Sequence, residues 1–409
     1  MSIAKKSINP HHFLILLPAG LGDAVIIGAS IVDQIIKHDP AASGHIDVVC
    51  NNFQAEIFKH DPRIQSIICV SSSIFPTPDS RTWLRGIFLA DEALALLQTI
   101  NSKRYEAVFP GNTTPFFYKR IRSPIIKIYS LQILKIFLSL RRHTAPPYSQ
   151  IVRQIINAHF NNRLPAPTID EEILLYVSSQ NIQEAMTLAR SMKERSDIST
   201  TAGQLLVVAA DTGSVITRPP THLLAAGITD ALTRKPHLTV CILPSYTDRN
   251  AAPDLYTALA ARFGWRIHLL PPEPRLSLPE VASVIDQADV FVTGDTGVMH
   301  LANANKRVCD SDNDHYTPGN ATRVIALFGG TNPDLFGYSR RSLVLGKGRK
   351  EQGRLIPGLF KEAYIDKKLG DKKFGKKQDW FDHISPQLLT AAIVSQLELS
   401  SLNTARSRN

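Results

Sequence analysis

The chain is poor in cysteine, with four in 409 residues. Cys50, Cys69, Cys241 and Cys309 stand far apart and form no Cys-x-x-Cys pair. A zinc cluster and a disulfide framework both need paired spacings, so the pattern points instead to buried thiols in a reducing compartment. Long hydrophobic runs are also missing. No window approaches the roughly 20 uninterrupted apolar residues of a transmembrane helix. Lys5 and Lys6 precede the apolar stretch "FLILL" (13–17), but that run stops at Pro18, and Asp23 interrupts the next apolar stretch. A secretory core of about 7–15 apolar residues is therefore lacking, and a first β-strand of a cytoplasmic protein is expected. Acid is scarce: 36 Asp and Glu face 46 Lys and Arg, a net charge of +10. That balance favours an anionic partner such as a membrane surface, a phosphorylated sugar or lipid, or a nucleotide. Aromatics are not interleaved with the lysines of "KKLGDKKFGKK" (367–377), so nucleic acid is not an expected partner.

What is present is an alternation. Strand-like "FLILL" (13–17) gives way to helical spacing in "DAVIIGASIVDQIIKHD" (23–39), then to "HIDVVC" (45–50), "FQAEIFKHDP" (53–62), "IQSIICV" (64–70) and "YEAVFPG" (105–111). A second block repeats the pattern with strands "QLLVVAAD" (204–211), "LTVCILPS" (238–245), "RIHLLP" (266–271), "VFVTGD" (290–295) and "RVIALFG" (323–329), separated by helices. Ser277 is the expected N-cap of one helix, and Ser385-Pro386 opens the last. Strands alternating with helices predict an α/β protein with two parallel-sheet halves. Ligands of such sheets bind outside the carboxyl ends of the strands. Asp23 lies just past the first strand of the first half, and Gly294, Asp295, Thr296 and Gly297 hold the corresponding place in the second.

The "GDTG" turn suits a phosphate: backbone N–H groups leave a helix start there, and glycine lets the backbone approach an anion closely. Asp295 is itself anionic, so it either caps the helix or holds sugar hydroxyls. His300 falls on the same face as Gly297 and reads either as a core histidine or as a donor contact. The chemistry suggested is transfer from a nucleotide-linked donor, which needs positive electrostatics for the leaving diphosphate and one base for the acceptor hydroxyl. Asp23 has three readings: helix cap, part of a nucleotide-binding loop, or that base.

"ILLPAGLGDAVIIGASIVDQI", with Gly20, Leu21, Gly22 and Asp23, resembles the opening of the family 9 glycosyltransferases, the ADP-heptose:lipopolysaccharide heptosyltransferases. "SLPEVASVIDQADVFVTGDTGVMHLANA" resembles their second signature, and "RVIALFGGTNPDLFG" the strand and Gly-x-Thr-x-Pro loop that come after it. The resemblance implies a GT-B fold, with two Rossmann-like domains facing a central cleft and a C-terminal helix packing back on the N-terminal domain. The corresponding boundaries are 1–177 for an acceptor-binding domain, 178–384 for a donor-binding domain, 385–400 for the helix and 401–409 for a disordered tail. It further implies an inverting, metal-independent transfer of a sugar, heptose from ADP-heptose, to a lipopolysaccharide core or related glycan, with no resident cofactor. Asp23 would be the acceptor base beside Gly22, and Asp295, Thr296, Gly297 and His300 would meet the donor.

The sequence departs from the family in three places. The usual Lys after the first strand of the second domain is replaced by Thr217, with Arg218 beside it; Arg218 is the candidate for the diphosphate, though Arg and Lys differ in geometry. The acid that holds the nucleoside is one methylene shorter, Asp248. An insert, "CDSDNDHYTPGNA" (309–321), lengthens a turn; as an EF-hand loop it fails, with His315 and Ala321 at the sixth and twelfth positions. It reads as a solvated loop. The acid-free segment 116–142 is either a basic amphipathic helix on an anionic membrane or a buried helix with basic ends. The lysine run 367–377 is either a solvated connector or a second attachment to the anionic leaflet. Peripheral contact with the inner membrane of a Gram-negative cell is thus one expectation. Three rivals remain: the same fold with another donor or a protein acceptor, a silent nucleotide- or glycan-binding homologue, and a membrane-scaffold protein.

Overall fold

The structure, a computed structural model, describes residues 11–17, 21–71, 91–103, 105–110, 156–157, 160, 173–194, 203–211, 217–244, 250–310, 322–329, 331, 333, 342–346 and 380–406. Asp248, the insert residues 311–321, and the basic segments 116–142 and 367–377 lie outside them. Two compact units divide the chain: residues 1–139 with 149–168, and residues 140–148 with 169–409.

In the first unit, β1 (Phe13–Leu16), β2 (Ile46–Cys50), β3 (Ile64–Cys69) and β4 (Ala107–Pro110) form a sheet of order β3-β2-β1-β4. Every pairing is parallel. Strands covered on both faces need apolar residues at every position, which is why "FLIL" is a run and not an alternation. After β1 the chain forms a short helical turn, α1 (Leu21–Asp23), a wider π-helical stretch over Ala24–Ala29, and α2 (Ser30–His38). π-Helical turns are rare and concentrate at functional sites. Gly28 lies within this one: a Cβ there would stand 2.6 Å from Leu17 Cδ1 and 2.7 Å from Phe58 Cζ, so the segment sits hard against the core. The unit continues through α3 (Asn52–Phe58), which Asn51 and Gln54 cap reciprocally, and α4 (Asp91–Ser102).

Two buried charge networks hold this unit. Arg63 donates through Nε and Nη2 to Asp61, at 2.8 and 2.7 Å, and through Nη1 to Asp33. Asp47, on β2, accepts from Lys103 Nζ at 2.7 Å, from Tyr105 Oη at 2.6 Å and from Ser66 Oγ. Burial acts to raise the Asp47 carboxyl, but these donors, Lys103 foremost, outweigh it and hold the group below its ordinary value.

In the second unit, β6 (Gln204–Ala209), β7 (Leu238–Ile242), β8 (Ile267–Leu269), β9 (Val290–Gly294), β11 (Arg323–Leu327) and β12 (Ser342–Leu345) form a parallel sheet of order β12-β11-β9-β6-β7-β8. A separate parallel pair joins β5 (Leu174–Val177) to β10 (Asn305–Val308). The compact units divide before β5, whereas the sequence pattern puts the change after residue 177. The helices are α5 (Ser179–Glu194), α6 (Thr221–Arg234), α7 (Ala251–Phe263), α8 (Leu278–Asp286), α9 (Gly297–Asn303) and α10 (Pro386–Arg406). Ser277 and Glu280 cap α8 reciprocally, as the sequence predicts. Asp310 is exposed, and it accepts from the backbone N–H of Ser179 at 2.9 Å and from its hydroxyl at 2.6 Å, closing the start of α5.

The C-terminal helix packs on the core of the second unit: Leu389, Ala392, Ile393 and Leu397 enter the same apolar cluster as Leu224 and Ile228 of α6 and Val292 of β9. Gly227 makes the room, for a Cβ there would lie 2.8 Å from Leu389 Cδ2, and Thr390 Oγ1 donates to the Gly227 carbonyl at 3.0 Å. The helix also runs on to Arg406, through the first residues of the expected tail. A further correction concerns the thiols. Cys50 and Cys241 are buried, but Cys69 is exposed and Cys309 partly so. Among the described residues, no helix is long and apolar enough to cross a membrane.

Candidate active site

β9 lies inside the second sheet, between β11 and β6, and all five of its residues are buried. Its apolar sequence ends at Gly294, where the chain must leave the sheet. An added Cβ at Gly294 would stand 2.3 Å from the carbonyl oxygen of Thr217 and 2.8 Å from Pro219 Cδ. Glycine is therefore required by close approach: the turn after β9 touches the segment that leads from β6 into α6. This contact brings Arg218 and Asp295 onto neighbouring loops at the carboxyl ends of adjacent strands. Thr217 is only 5% exposed, and Arg218 is half-buried.

Beyond Gly294, Asp295 and Thr296 form the turn and α9 begins at Gly297. Thr296 has extended backbone, φ −150°, and its side chain makes no capping hydrogen bond, in contrast with the capped starts of α3 and α8. Met299 N donates to Thr296 O at 3.0 Å, and helix geometry leaves the Gly297 and Val298 N–H groups without intrahelical acceptors. The helix spans seven residues, so its macrodipole is small and these local N–H groups are what it offers an anion.

Asp295 is half-buried, and burial pushes its carboxyl up to about 6. The nearby Thr331 hydroxyl works against that, favouring the ionised form, although it does not reach normal hydrogen-bond geometry. His300, 4% exposed, is pushed down to about 3 by burial and is neutral near pH 7. It cannot supply positive charge to a phosphate. Its burial among core residues supports the structural reading more than direct contact with a charged group.

Gly22 and Asp23 belong to the first unit. Leu21–Asp23 form the short helical turn α1 that follows β1, so the backbone of Asp23 is helical. Sequence reasoning missed Thr331 as a neighbour of Asp295. The Gly-Gly-Thr-x-Pro loop after β11 was the available signal, because β11 pairs with β9 and Leu327 stands opposite Gly294. It missed His383 as well, whose Nε2 lies 3.1 Å from the Phe328 carbonyl at the root of that loop. Among the described residues, no cluster of three or more His, Cys, Asp or Glu is arranged to hold a metal ion.

The second unit carries the match to a known family. Residues 257–353 fit the model of glycosyltransferase family 9 (heptosyltransferase), a span that includes α8, β9, the Asp295 turn and β11. No curated protein sequence matches the chain. Solved structures do. A glycosyl transferase family 9 protein from Veillonella parvula superposes with a TM-score of 0.60 at 14% identity, covering 96% of this chain and 99% of its own. The E. coli ADP-heptose lps heptosyltransferase II gives 0.59 at 16% identity, over 95% and 99% of the two chains. E. coli heptosyltransferase WaaC, solved with ADP, gives 0.51 at 17% identity, over 82% and 94%. The motif resemblance is thus borne out: residues 257–353 match the family 9 heptosyltransferases, and the chain has the GT-B fold of their solved structures.

Proposed function

We propose that this chain is a glycosyltransferase that moves heptose from ADP-heptose to a lipopolysaccharide core or related glycan acceptor. The observation that carries this reading is the contact between Gly294 and Thr217. It sets a cation, Arg218, beside the Asp295 turn at the carboxyl ends of β6 and β9, inside a domain with a family 9 match. The ADP bound by WaaC supports an adenine nucleotide in that place.

The mechanism is a single displacement. The acceptor O–H gives its proton to the Asp23 carboxylate, and the acceptor oxygen forms a bond to the anomeric carbon. The bond from that carbon to the diphosphate oxygen breaks on the opposite side, and ADP leaves with the electron pair. The sugar inverts. Arg218 and the free N–H groups of Gly297 and Val298 stabilise the departing charge without a metal. Asp295 and Thr296 hold sugar hydroxyls, Asp248 holds the nucleoside, His300 supports the turn from beneath, and Gly22 keeps the first-unit loop open to the substrate. The net charge of +10 supports a reaction at the cytoplasmic face of a Gram-negative inner membrane.

One observation favours a second reading, binding without turnover: the family's Lys position is Thr217, a buried residue. The test is a turnover assay with ADP-heptose and a heptose-deficient core acceptor, followed by release of ADP and by product mass. The expected result is product gaining one heptose, insensitivity to EDTA, and a loss of about 10²–10⁴-fold in Asp23→Asn. Wild-type-like turnover by Asp23→Ala would remove Asp23 as the base. ADP-heptose binding with no turnover on any core acceptor would favour the second reading.

A further inference from the structure

Cys50 and Cys69 serve no step of the reaction, yet the first sheet sets them side by side. They are the last residues of β2 and β3, and the ladder between these parallel strands pairs Cys50 directly with Cys69. The backbone is tied there as well, for Val70 N donates to the Cys50 carbonyl at 2.9 Å. Neighbouring strands run about 4.8 Å apart, inside the roughly 4.4–6.8 Å over which a disulfide spans two Cα atoms.

The two side chains share a face. One step back in the ladder, Val49 stands opposite Ile68, and both pack in the apolar cluster that includes Leu96, Leu97 and Ile100 of α4. Side chains alternate along a strand, so Cys50 and Cys69 both leave on the opposite face. Their surroundings differ. Cys50 lies on an interior strand and is buried; burial pushes its thiol up to about 12, and the charge of a Cys69 thiolate adds to the rise. Cys69 is exposed at the end of the edge strand. That strand has its ladder on one side, so its last residue can close on β2 without breaking a second set of hydrogen bonds. The pair sits at the carboxyl edge of the first sheet, the edge at which the chain leaves β1 towards Asp23.

We infer that Cys50 and Cys69 form a reversible disulfide across β2 and β3, in which Cys69 meets the oxidant and Cys50 resolves the product. The order follows from access, since an exposed thiol is reached before a buried one. With a hydroperoxide as oxidant the steps balance. The Cys69 thiolate attacks one oxygen of hydrogen peroxide, the O–O bond breaks, and Cys69 becomes a sulfenic acid while the departing hydroxide takes up the Cys69 proton as water. The Cys50 sulfur then attacks the sulfenic sulfur. The S–S bond forms, the S–O bond breaks, and the hydroxyl leaves with the Cys50 proton as a second water. The two thiols give up two electrons and the peroxide accepts them. A small thiol reductant attacks the exposed Cys69 sulfur and returns both thiols.

The experiment is peptide mapping of the purified full chain. The reduced protein is treated with hydrogen peroxide, unfolded in N-ethylmaleimide and digested with trypsin. The expected product joins peptide 38–59 to peptide 64–81 through Cys50 and Cys69, and dithiothreitol abolishes it. Cys69→Ser changes an exposed position and leaves the core intact; the linked product is then lost and Cys50 stays reduced under the same treatment. In Cys50→Ala the Cys69 sulfenic acid has no thiol to resolve it, and dimedone traps it in several-fold excess over wild type. Recovery of Cys50 and Cys69 as separate maleimide adducts from the oxidised wild type would overturn the inference. So would Cys69 linked to Cys309 or to a second chain, Cys69 carried on to the sulfinic acid beside a reduced Cys50, or equal dimedone labelling of wild type and Cys50→Ala.

Discussion

Gly294 and Thr217 touch through the backbone: an added Cβ on Gly294 would lie 2.3 Å from the Thr217 carbonyl oxygen. The neighbour is main chain and cannot swing away, so Gly294→Ala must push the β6–α6 loop or bend β9. A loss of about 1–3 kcal/mol is expected from such overpacking. Urea denaturation measures it, and calorimetry should show weaker ADP binding at the same time. Gly294→Ala with unchanged stability and unchanged binding would contradict the shared contact.

His300 links this turn to acid sensitivity. Burial holds it near 3 in the folded chain, against an ordinary value of 6.5. Its folded value is depressed, so below pH 6.5 the unfolded chain binds a proton that the folded chain does not. This group's contribution is complete above pH 6.5 and is lost progressively as pH falls towards 3. Asp295 opposes part of that trend: its raised value makes the folded chain the better proton binder between about 6 and 3.8. In denaturation measured from pH 7.5 to 4.5, the stability of wild type relative to His300→Asn should decline as pH falls below 6.5, whatever the variant's absolute stability.

Much of this architecture was legible because the two sheets are parallel and doubly covered. β1 is a continuous apolar run and β6, β7, β9 and β11 are largely apolar ones, and helices such as α8 are capped by readable pairs, here Ser277 and Glu280. β10 was not legible. "NKRV" is polar, and Lys306, 1% exposed, is tolerable there only because Asp286 at the end of α8 meets its Nζ at 2.7 Å. No local pattern announces that partner. The cap of α5 by Asp310 spans 131 positions and is equally silent in the sequence. The site shows the same division. The glycine of "GDTG" could be read as a close-approach position, but what approaches it, Thr217, belongs to another loop. The burial that makes His300 neutral and raises Asp295 is a property of packing around them and not of spacing.

The Asp47 network predicts a stability effect separable from function. Asp47 is the second residue of β2, and Tyr105 precedes β4, so both lie towards the amino ends of their strands, away from the ligand edge. Tyr105→Phe removes one donor from a buried carboxylate, with an expected cost of about 1–3 kcal/mol. Because the carboxyl is held below its ordinary value, the contribution is present above pH 4 and is lost as pH falls through the folded value. Chemical denaturation at pH 7 should show the loss in full, and at pH 3 a smaller one. ADP affinity should be unchanged.

The most direct test of the donor site is calorimetric titration of the purified chain with ADP, with UDP and GDP as controls and no added metal. Selective ADP binding is expected, weakened by Gly294→Ala and by Arg218→Ala. Absence of binding by all three nucleotides, or binding that ignores both substitutions, would contradict a donor site built on the Gly294–Thr217 contact.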